Sequence, residues 1–180
     1  MADAKEKPGV TGPATPFPEL LFLGDALPFV DRIVAILDQI PLLEGFAQEE
    51  IVRMAPYLKI YRAPVGTEII CEGDTGDFML LLISGRVEIF KRDTSGMPKH
   101  IGTAGPGKAL GEMSMIDGAP RSASCIALED TLFAVLDRPD LSRIITDDPR
   151  LGVKLLIELV QILARRLREA NSRLVGAMEI

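Results

Sequence analysis

The chain is short of the residues from which metal centres and disulfide frameworks are built: its 180 residues hold two cysteines, Cys71 and Cys125, and a single histidine, His100. Both cysteines sit in apolar, strand-like surroundings, so they read as two buried thiols rather than a disulfide or a metal pair. His100 follows Lys99 in a polar turn and reads as a solvated loop residue; alone it cannot make a metal centre. Positive charge is in deficit, with 20 Lys and Arg against 26 Asp and Glu and a formal net charge of −6. That argues against a general nucleic-acid surface, which needs a basic stripe to neutralise phosphates. No apolar run reaches the length of a membrane span, and the N-terminus has no basic segment leading into a long apolar core. The expectation is a cytoplasmic protein without a membrane partner. No nucleophile stands in a recognisable arrangement with a base, so catalysis is not expected.

What is present divides the chain into four stretches. Residues 1–19 carry Pro8, Pro13, Pro16 and Pro18 among small and charged residues, a composition that buries too little apolar surface to order by itself and reads as a mobile arm. Residues 20–60 read as N-terminal helices. One runs from Leu27 to Ile40, with Phe29, Ile33, Ile36, Leu37 and Ile40 on one side and Pro28 in its first turn, and a second runs from Gln48 to Leu58. Over residues 61–137 the period shortens, and β-branched and apolar runs are broken by glycine turns every eight to twelve residues. Strands are expected at Glu68–Cys71, Phe78–Ser84, Arg86–Arg92, His100–Ala104, Ser122–Ala127 and Thr131–Asp137, with hairpin chemistry at Asp93-Thr94-Ser95-Gly96. The fold class is therefore mainly β, an antiparallel jelly-roll barrel with flanking helices. Residues 138–180 return to a helical period, first from Pro139 to Ile145 and then in a long helix from Pro149 to Leu174. In that helix Leu156, Val160, Leu163, Leu167, Ala170 and Leu174 alternate steps of four and three, the seam of a coiled coil, over fewer than three heptads; a helix packed only on its own barrel is the other reading of so short a run.

The chemistry is concentrated in Gly111–Ser124, GEMSMIDGAPRSAS. Gly111-Glu112-Met113-Ser114-Met115-Ile116 can form one or two helical turns after a glycine-rich loop, leaving N–H groups unpaired at the start, where an anion is favoured. Nine residues on, the always-charged guanidinium of Arg121 can grip two phosphate oxygens, and the small residues Ser122, Ala123 and Ser124 let a ligand approach the backbone. Glu112 accepts hydrogen bonds, so beside a phosphate its natural partner is a sugar hydroxyl.

This stretch resembles the phosphate-binding cassette of cyclic nucleotide-binding domains, the family of catabolite-activator-type regulators and of regulatory subunits of cyclic-AMP-dependent kinases. Upstream, Gly66-Thr67-Glu68-Ile69-Ile70-Cys71-Glu72-Gly73-Asp74 and Asp77 to Ile89 repeat the family's glycine and aspartate spacing. The likeness extends from about Ile40 to Leu174. It implies that the exocyclic phosphate oxygens lie on Arg121 and the backbone of Ser122 and Ala123, and the ribose 2′-hydroxyl on Glu112. Gly111, Met113 and Ser114 would shape the same wall, and Ile89, Ile101 and Leu110 would line sugar and base. Aligning Ala164-Arg165-Arg166-Leu167 with the arginine-rich turn of activator relatives puts Ala170 and Asn171 where those relatives carry a pair of hydroxyl residues that read adenine. Asn171 keeps a donor and an acceptor for the base edge, and Arg166 would approach the ligand from the helix.

The resemblance implies cyclic AMP as ligand, with cyclic GMP as the alternative because Ser122 can approach a guanine amino group, and a parallel homodimer through the long helix. Only Val175–Ile180 follow Leu174, too few residues for a helix-turn-helix, so DNA reading is not expected. The function expected is a sensor whose ligand moves the C-terminal helix toward or away from an unidentified protein partner. Two other readings stay open: a ligand-free dimeric scaffold with a degenerate pocket, and a receptor for a cyclic dinucleotide. Gly102-Thr103-Ala104-Gly105-Pro106-Gly107-Lys108 has the spacing of a triphosphate-binding loop, but Ala109 follows without a hydroxyl for magnesium, and the segment leads into the cassette. Lys108 departs from the acidic residue common there in the family.

Overall fold

The structure, a computed structural model, describes residues 16–178. Two runs of unbroken hydrophobicity, Phe78–Ile83 and Leu132–Leu136, organise it. They form the centres of strands β4 (Phe78–Ser84) and β9 (Thr131–Asp137), which pair antiparallel with Leu80 opposite Val135 and Leu82 opposite Phe133. A strand turns alternate side chains to opposite faces. Leu80, Leu82, Phe133 and Val135 thus enter the space between two sheets, while Met79, Leu81, Ile83, Ala134 and Leu136 face the helices. Both faces are covered, so neither strand can alternate with polar residues. Each large side chain such as Phe133 adds about 1.5–3 kcal/mol on full burial.

Seven more strands complete two antiparallel sheets: β1 (Leu21–Asp25), β2 (Lys59–Ala63), β3 (Glu68–Ile70), β5 (Val87–Arg92), β6 (Pro98–Ala104), β7 (Ala109–Leu110) and β8 (Ser124–Ala127). The orders are β1-β2-β9-β4-β7 and β3-β8-β5-β6. This is the jelly-roll barrel with flanking helices that the sequence implies. The β5–β6 turn is held by Asp93, whose carboxylate accepts from the Ser95 and Met97 N–H groups at 2.9 and 3.1 Å. His100 lies within β6, exposed beside Phe90, and is a strand residue rather than a loop residue.

The N-terminal region departs from its helical reading. Leu21–Asp25 is an edge strand on β2, with a bulge between Phe22 and Gly24. The single helix expected from Leu27 to Ile40 is broken into 3-10 turns around α1 (Val30–Val34), with the chain leaving helical backbone at Ile36 (φ −116°, ψ 14°); Pro41 fixes only the far end, holding Ile40 extended at φ −104°, ψ 93°. A second short helix, α2 (Gln48–Met54), follows, with Glu50 accepting from the Ala47 N–H at 2.8 Å. Of the expected arm, residues 1–15 lie outside the described residues. Phe17 is ordered into the barrel, its ring edge-on to Phe78, Tyr61 and Phe133 at centroid distances of 5.0, 5.3 and 5.6 Å.

Between β7 and β8 sits α3 (Glu112–Asp117), and after β9 come α4 (Arg138–Asp147) and α5 (Pro149–Met178). The start of α4 is capped by Asp137, which accepts from the Asp140 N–H at 2.8 Å. On α5, Leu151, Leu155, Leu159 and Ile162 are buried against the body of the domain. The opposite face carries Val153, Ile157, Val160, Leu167 and Leu174, each between 51% and 64% exposed. Of the seam expected from periodicity, Val160, Leu167 and Leu174 lie on this face, whereas Leu156 is half-buried and packs on the core; Val153, Ile157, half-buried Ala164 and Asn171 complete the stripe. No helix among the described residues is long and apolar enough to cross a membrane.

Candidate ligand-binding site

A cavity of about 590 Å³ opens where β5, β6, β7, α3, the loop before β8 and α5 converge. Its size falls within the range of small-molecule sites. One wall is the cassette. Gly111 enters α3 at φ +77° and ψ 7°, left-handed backbone that a side chain rarely adopts, and a Cβ there would meet the Arg121 Nη1 at 2.5 Å. The glycine therefore serves the turn and the approach of the guanidinium together.

Arg121 is 4% exposed. Its main chain is pinned to the loop of Gly73 and Asp74, with its N–H donating to the Asp74 carbonyl and its carbonyl accepting from the Gly73 N–H, both at 2.8 Å. Its guanidinium donates from Nη1 to the Gly111 carbonyl at 2.7 Å and lies 4.2 Å from the centre of the Phe78 ring. Gly76 leaves room beneath it, since a Cβ there would collide with the guanidinium. Nη2 is buried without a hydrogen bond. Burial lowers the pKa of this arginine, with the negative charges of Asp77, Glu112 and Asp74 acting in the other direction. A buried cation with an unused donor is chemically suited to pair with an anion. The short α3 adds little helix field of its own, so Arg121 carries the charge complementarity.

Glu112 is fully buried. Its Oε1 pairs with Nη1 of Arg166 on α5, and Nη2 of the same arginine donates to the Ala109 carbonyl at 2.6 Å. Oε2 has no partner. The cassette thus presents one unengaged donor and one unengaged acceptor, each buried, and Nη2 of Arg165 on α5, which also lines the cavity, is a second buried donor without a hydrogen bond.

Of the residues singled out from the sequence, Ile89, Ile101, Leu110, Gly111, Glu112, Met113, Ser114, Arg121, Ser122, Ala123 and Arg166 all line this cavity. Asn171 does not; it is exposed on the outer stripe of α5, and Glu169 and Ala170 face the cavity instead. Of the two positions that the alignment of Ala164-Arg165-Arg166-Leu167 with its relatives put at the base, Ala170 lines the cavity and Asn171, the next residue round the helix, does not. Sequence reasoning also missed Pro41 and Leu42 from the N-terminal region, Ile70 from β3 and Arg165 from α5. Only tertiary packing brings the first two there, whereas Arg165 stood beside Arg166 in the same arginine pair. Cys125 lines the cavity floor as a neutral thiol, its pKa pushed up to about 11 chiefly by burial. Cys71 is the other free cysteine, half-buried.

The glycine-rich stretch before β7 is not a triphosphate loop. Its amides are spent internally: the Gly107 N–H donates to the Leu82 carbonyl at 2.8 Å and the Lys108 N–H to the Gly105 carbonyl at 3.2 Å. Gly107 also lets the Gln39 carbonyl come close enough that a Cβ would clash with it. Lys108 stands exposed at the cavity mouth.

A jelly roll closed by a glycine-flanked short helix, with a buried arginine and a buried glutamate facing one cavity, defines a cyclic nucleotide-binding domain, and the comparisons agree. The cyclic nucleotide-binding domain family model matches residues 62–148. A solved cyclic nucleotide-binding domain from Methylobacillus flagellatus is 40% identical, covers 89% of this chain and 90% of its own, and superposes with a TM-score of 0.80. The chain belongs to the cyclic nucleotide-binding domain family. It is also similar to the cyclic AMP receptor protein of Thermus thermophilus, 37% identical over 74% of this chain and 60% of the relative. A cAMP-dependent protein kinase regulatory subunit of Aspergillus niger is 35% identical over 62% of this chain and 26% of the relative. The chain therefore spans well under two thirds of the length of these curated relatives.

Proposed function

We propose that this chain is a cytoplasmic sensor of a cyclic purine mononucleotide, with cyclic AMP as its first ligand, and that it works by binding rather than catalysis. The observation that carries the reading is the pair of unengaged buried groups in one cavity, Nη2 of Arg121 and Oε2 of Glu112. A cyclic phosphate satisfies the first and a ribose 2′-hydroxyl the second. The backbone of Ser122 and Ala123 supports the phosphate, and Ile89, Ile101 and Leu110 receive sugar and base. Similarity to a cyclic AMP receptor protein supports adenine over guanine. The two cysteines are free thiols, the state kept in a reducing compartment.

Glu112 connects ligand and α5. Oε1 holds Arg166 while Oε2 is open, so a ribose hydroxyl on Oε2 joins ligand, cassette and long helix in one network. Ligand then favours the α5 position in which Arg166 reaches the cassette, a shift in population rather than a new structure. The exposed stripe of α5 is the surface that this shift presents. Its spacing from Val153 to Leu174 puts Asn171 at a coiled-coil core position, where an asparagine selects the parallel, in-register dimer at some loss of stability.

Calorimetric titration with cyclic AMP and cyclic GMP tests the reading, with Glu112→Gln as comparison. Micromolar or tighter binding to the wild type, weakened in the variant, is expected. The scaffold reading draws on one observation, that Asn171 is outside the cavity and α5 brings no hydroxyl pair to the base. It replaces the sensor if neither nucleotide binds; heat from a cyclic dinucleotide alone would reassign the ligand.

A further inference from the structure

The orientation of α3 is not inherited from its neighbours. Six residues long, it is bracketed by Gly111 at φ +77° and Gly118 at φ +74°, two left-handed junctions about which a short helix can swing as a unit. Its N-terminal end is tied by Arg121 to the Gly111 carbonyl. Its C-terminal end is tied by a second arginine, which the sequence did not single out. Arg138 donates from Nε to the Met115 carbonyl at 2.8 Å and from Nη2 to the Ser114 carbonyl at 3.3 Å. These are among the last carbonyls of α3; that of Ser114 also accepts from the Gly118 N–H at 2.9 Å, and a cation at a helix C-terminus is favoured.

Arg138 is itself well anchored. It is the first residue of α4, and its N–H donates to the Asp77 carbonyl at 2.7 Å. On either side of Pro139, Asp137 and Asp140 both pair with Lys59 of β2, at 2.5 and 3.0 Å. Among the described residues no carboxylate forms an ion pair with Arg138, so its directed bonds go to the α3 carbonyls. Glu112 is the first residue of α3, less than one turn from the clamped carbonyls of Ser114 and Met115. The phosphate group's anchor, by contrast, has its main chain held by the Gly73–Asp74 loop and touches α3 only through the Gly111 carbonyl, at the end away from Arg138.

We propose that Arg138 is a positioning residue: it fixes α3 so that Glu112 meets the ribose 2′-hydroxyl, and it ties the cassette to α4 and thence to α5. This rests on the ribose assignment of Glu112 made above. The chemistry gives a specific signature. Without Arg138, binding loses its preference for the 2′-hydroxyl while the contribution of the phosphate persists; a general structural role would weaken all ligands alike.

The experiment compares cyclic AMP with 2′-deoxy cyclic AMP on wild type, Arg138→Ala, Arg138→Lys and Glu112→Gln. A hydrogen bond to a carboxylate is expected to give the wild type roughly a tenfold or larger preference for cyclic AMP. Arg138→Ala should reduce that ratio to about threefold or less, with deoxy affinity within about threefold of wild type, as Glu112→Gln does. Arg138→Lys, whose single ammonium cannot span both carbonyls, gives an intermediate ratio and keeps the test open if the alanine variant does not fold. A wild-type ratio in both Arg138 variants overturns the proposal, and so does an equal loss for both ligands. If wild-type protein binds cyclic AMP without preferring it to the deoxy form, the ribose assignment fails and this proposal with it. If it binds neither, the sensor reading itself is gone.

Discussion

Replacing Arg121 by methionine separates ligand binding from folding. In the unliganded protein the arginine makes one charge-assisted bond to Gly111 and a face contact with Phe78, worth about 1.5–3 and about 0.5–2 kcal/mol respectively. Against these stand the desolvation of a cation that is 4% exposed and a buried Nη2 without a partner, the latter alone costing about 1–3 kcal/mol. Methionine fills the unbranched part of the slot and regains a sulfur–aromatic contact of about 0.3–1.5 kcal/mol with Phe78. The terms nearly cancel, so the unliganded variant is expected within about 1.5 kcal/mol of wild type. With cyclic AMP at one hundred times its dissociation constant, wild type gains about 2.7 kcal/mol. For a chain of 180 residues that is a rise of about 5–11 °C in melting temperature. Arg121→Met should show none of it. Thermal melts with and without nucleotide read both arms. A variant that keeps the ligand-induced rise refutes the phosphate assignment. One that loses more than about 3 kcal/mol without ligand shows that the buried arginine is a structural pillar, and the cancellation argued above is wrong.

Two further expectations follow from the C-terminal half. Leu167→Asp places a charge in the middle of the exposed α5 stripe and should leave a monomer by sedimentation while nucleotide affinity stays near wild type; Asn171→Cys should form an interchain disulfide under oxidation, and failure to crosslink in a protein that remains dimeric rules out the parallel, in-register seam. The Lys59–Asp137–Asp140 cluster gives a pH signature. Burial raises the Asp137 carboxyl, but the Lys59 ammonium and the Asp140 N–H outweigh it and leave the pKa below its ordinary value, while burial of Lys59 is outweighed by Asp137 and Asp140, leaving that pKa raised. A depressed carboxylate stabilises above its unfolded value of about 3.9 and loses that contribution as pH falls through the folded one; a raised lysine stabilises below its unfolded value of about 10.4 and loses it as pH rises past the folded one. Lys59→Met should therefore flatten the loss of melting temperature below about pH 4, and an unchanged acid limb would discount the cluster.

The barrel and the cassette were legible because their signals are local. Phe78–Ile83 and Leu132–Leu136 announce doubly covered strands by hydrophobicity alone, and Gly111, Glu112 and Arg121 carry their chemistry in fourteen consecutive residues. What stayed hidden depends on partners distant in sequence. Leu21–Asp25 becomes a strand only because β2 offers it an edge, and the helix expected from Leu27 stops at Val34, where the chain turns at Ile36 to pack on its neighbours. Half of the α5 stripe was legible, in Val160, Leu167 and Leu174; the other positions were read one residue early, because apolar residues occupy both faces of that helix and Leu156 and Leu163 obey the same four-three rhythm. Arg138 has no motif at all, since its acceptors are backbone carbonyls of another segment.

Cys125 gives the molecule a native reporter. Its thiol forms part of the cavity floor, and with a pKa of about 11 it is almost wholly protonated at neutral pH. It therefore neither repels an incoming phosphate nor oxidises readily. Once Cys71 is replaced by serine, a thiol-reactive reagent has one place to go, and must enter the cavity to get there. The slow rate at which it labels the protein then counts how often an unoccupied cavity is accessible from solvent, without any dye, tag or added side chain in the pocket.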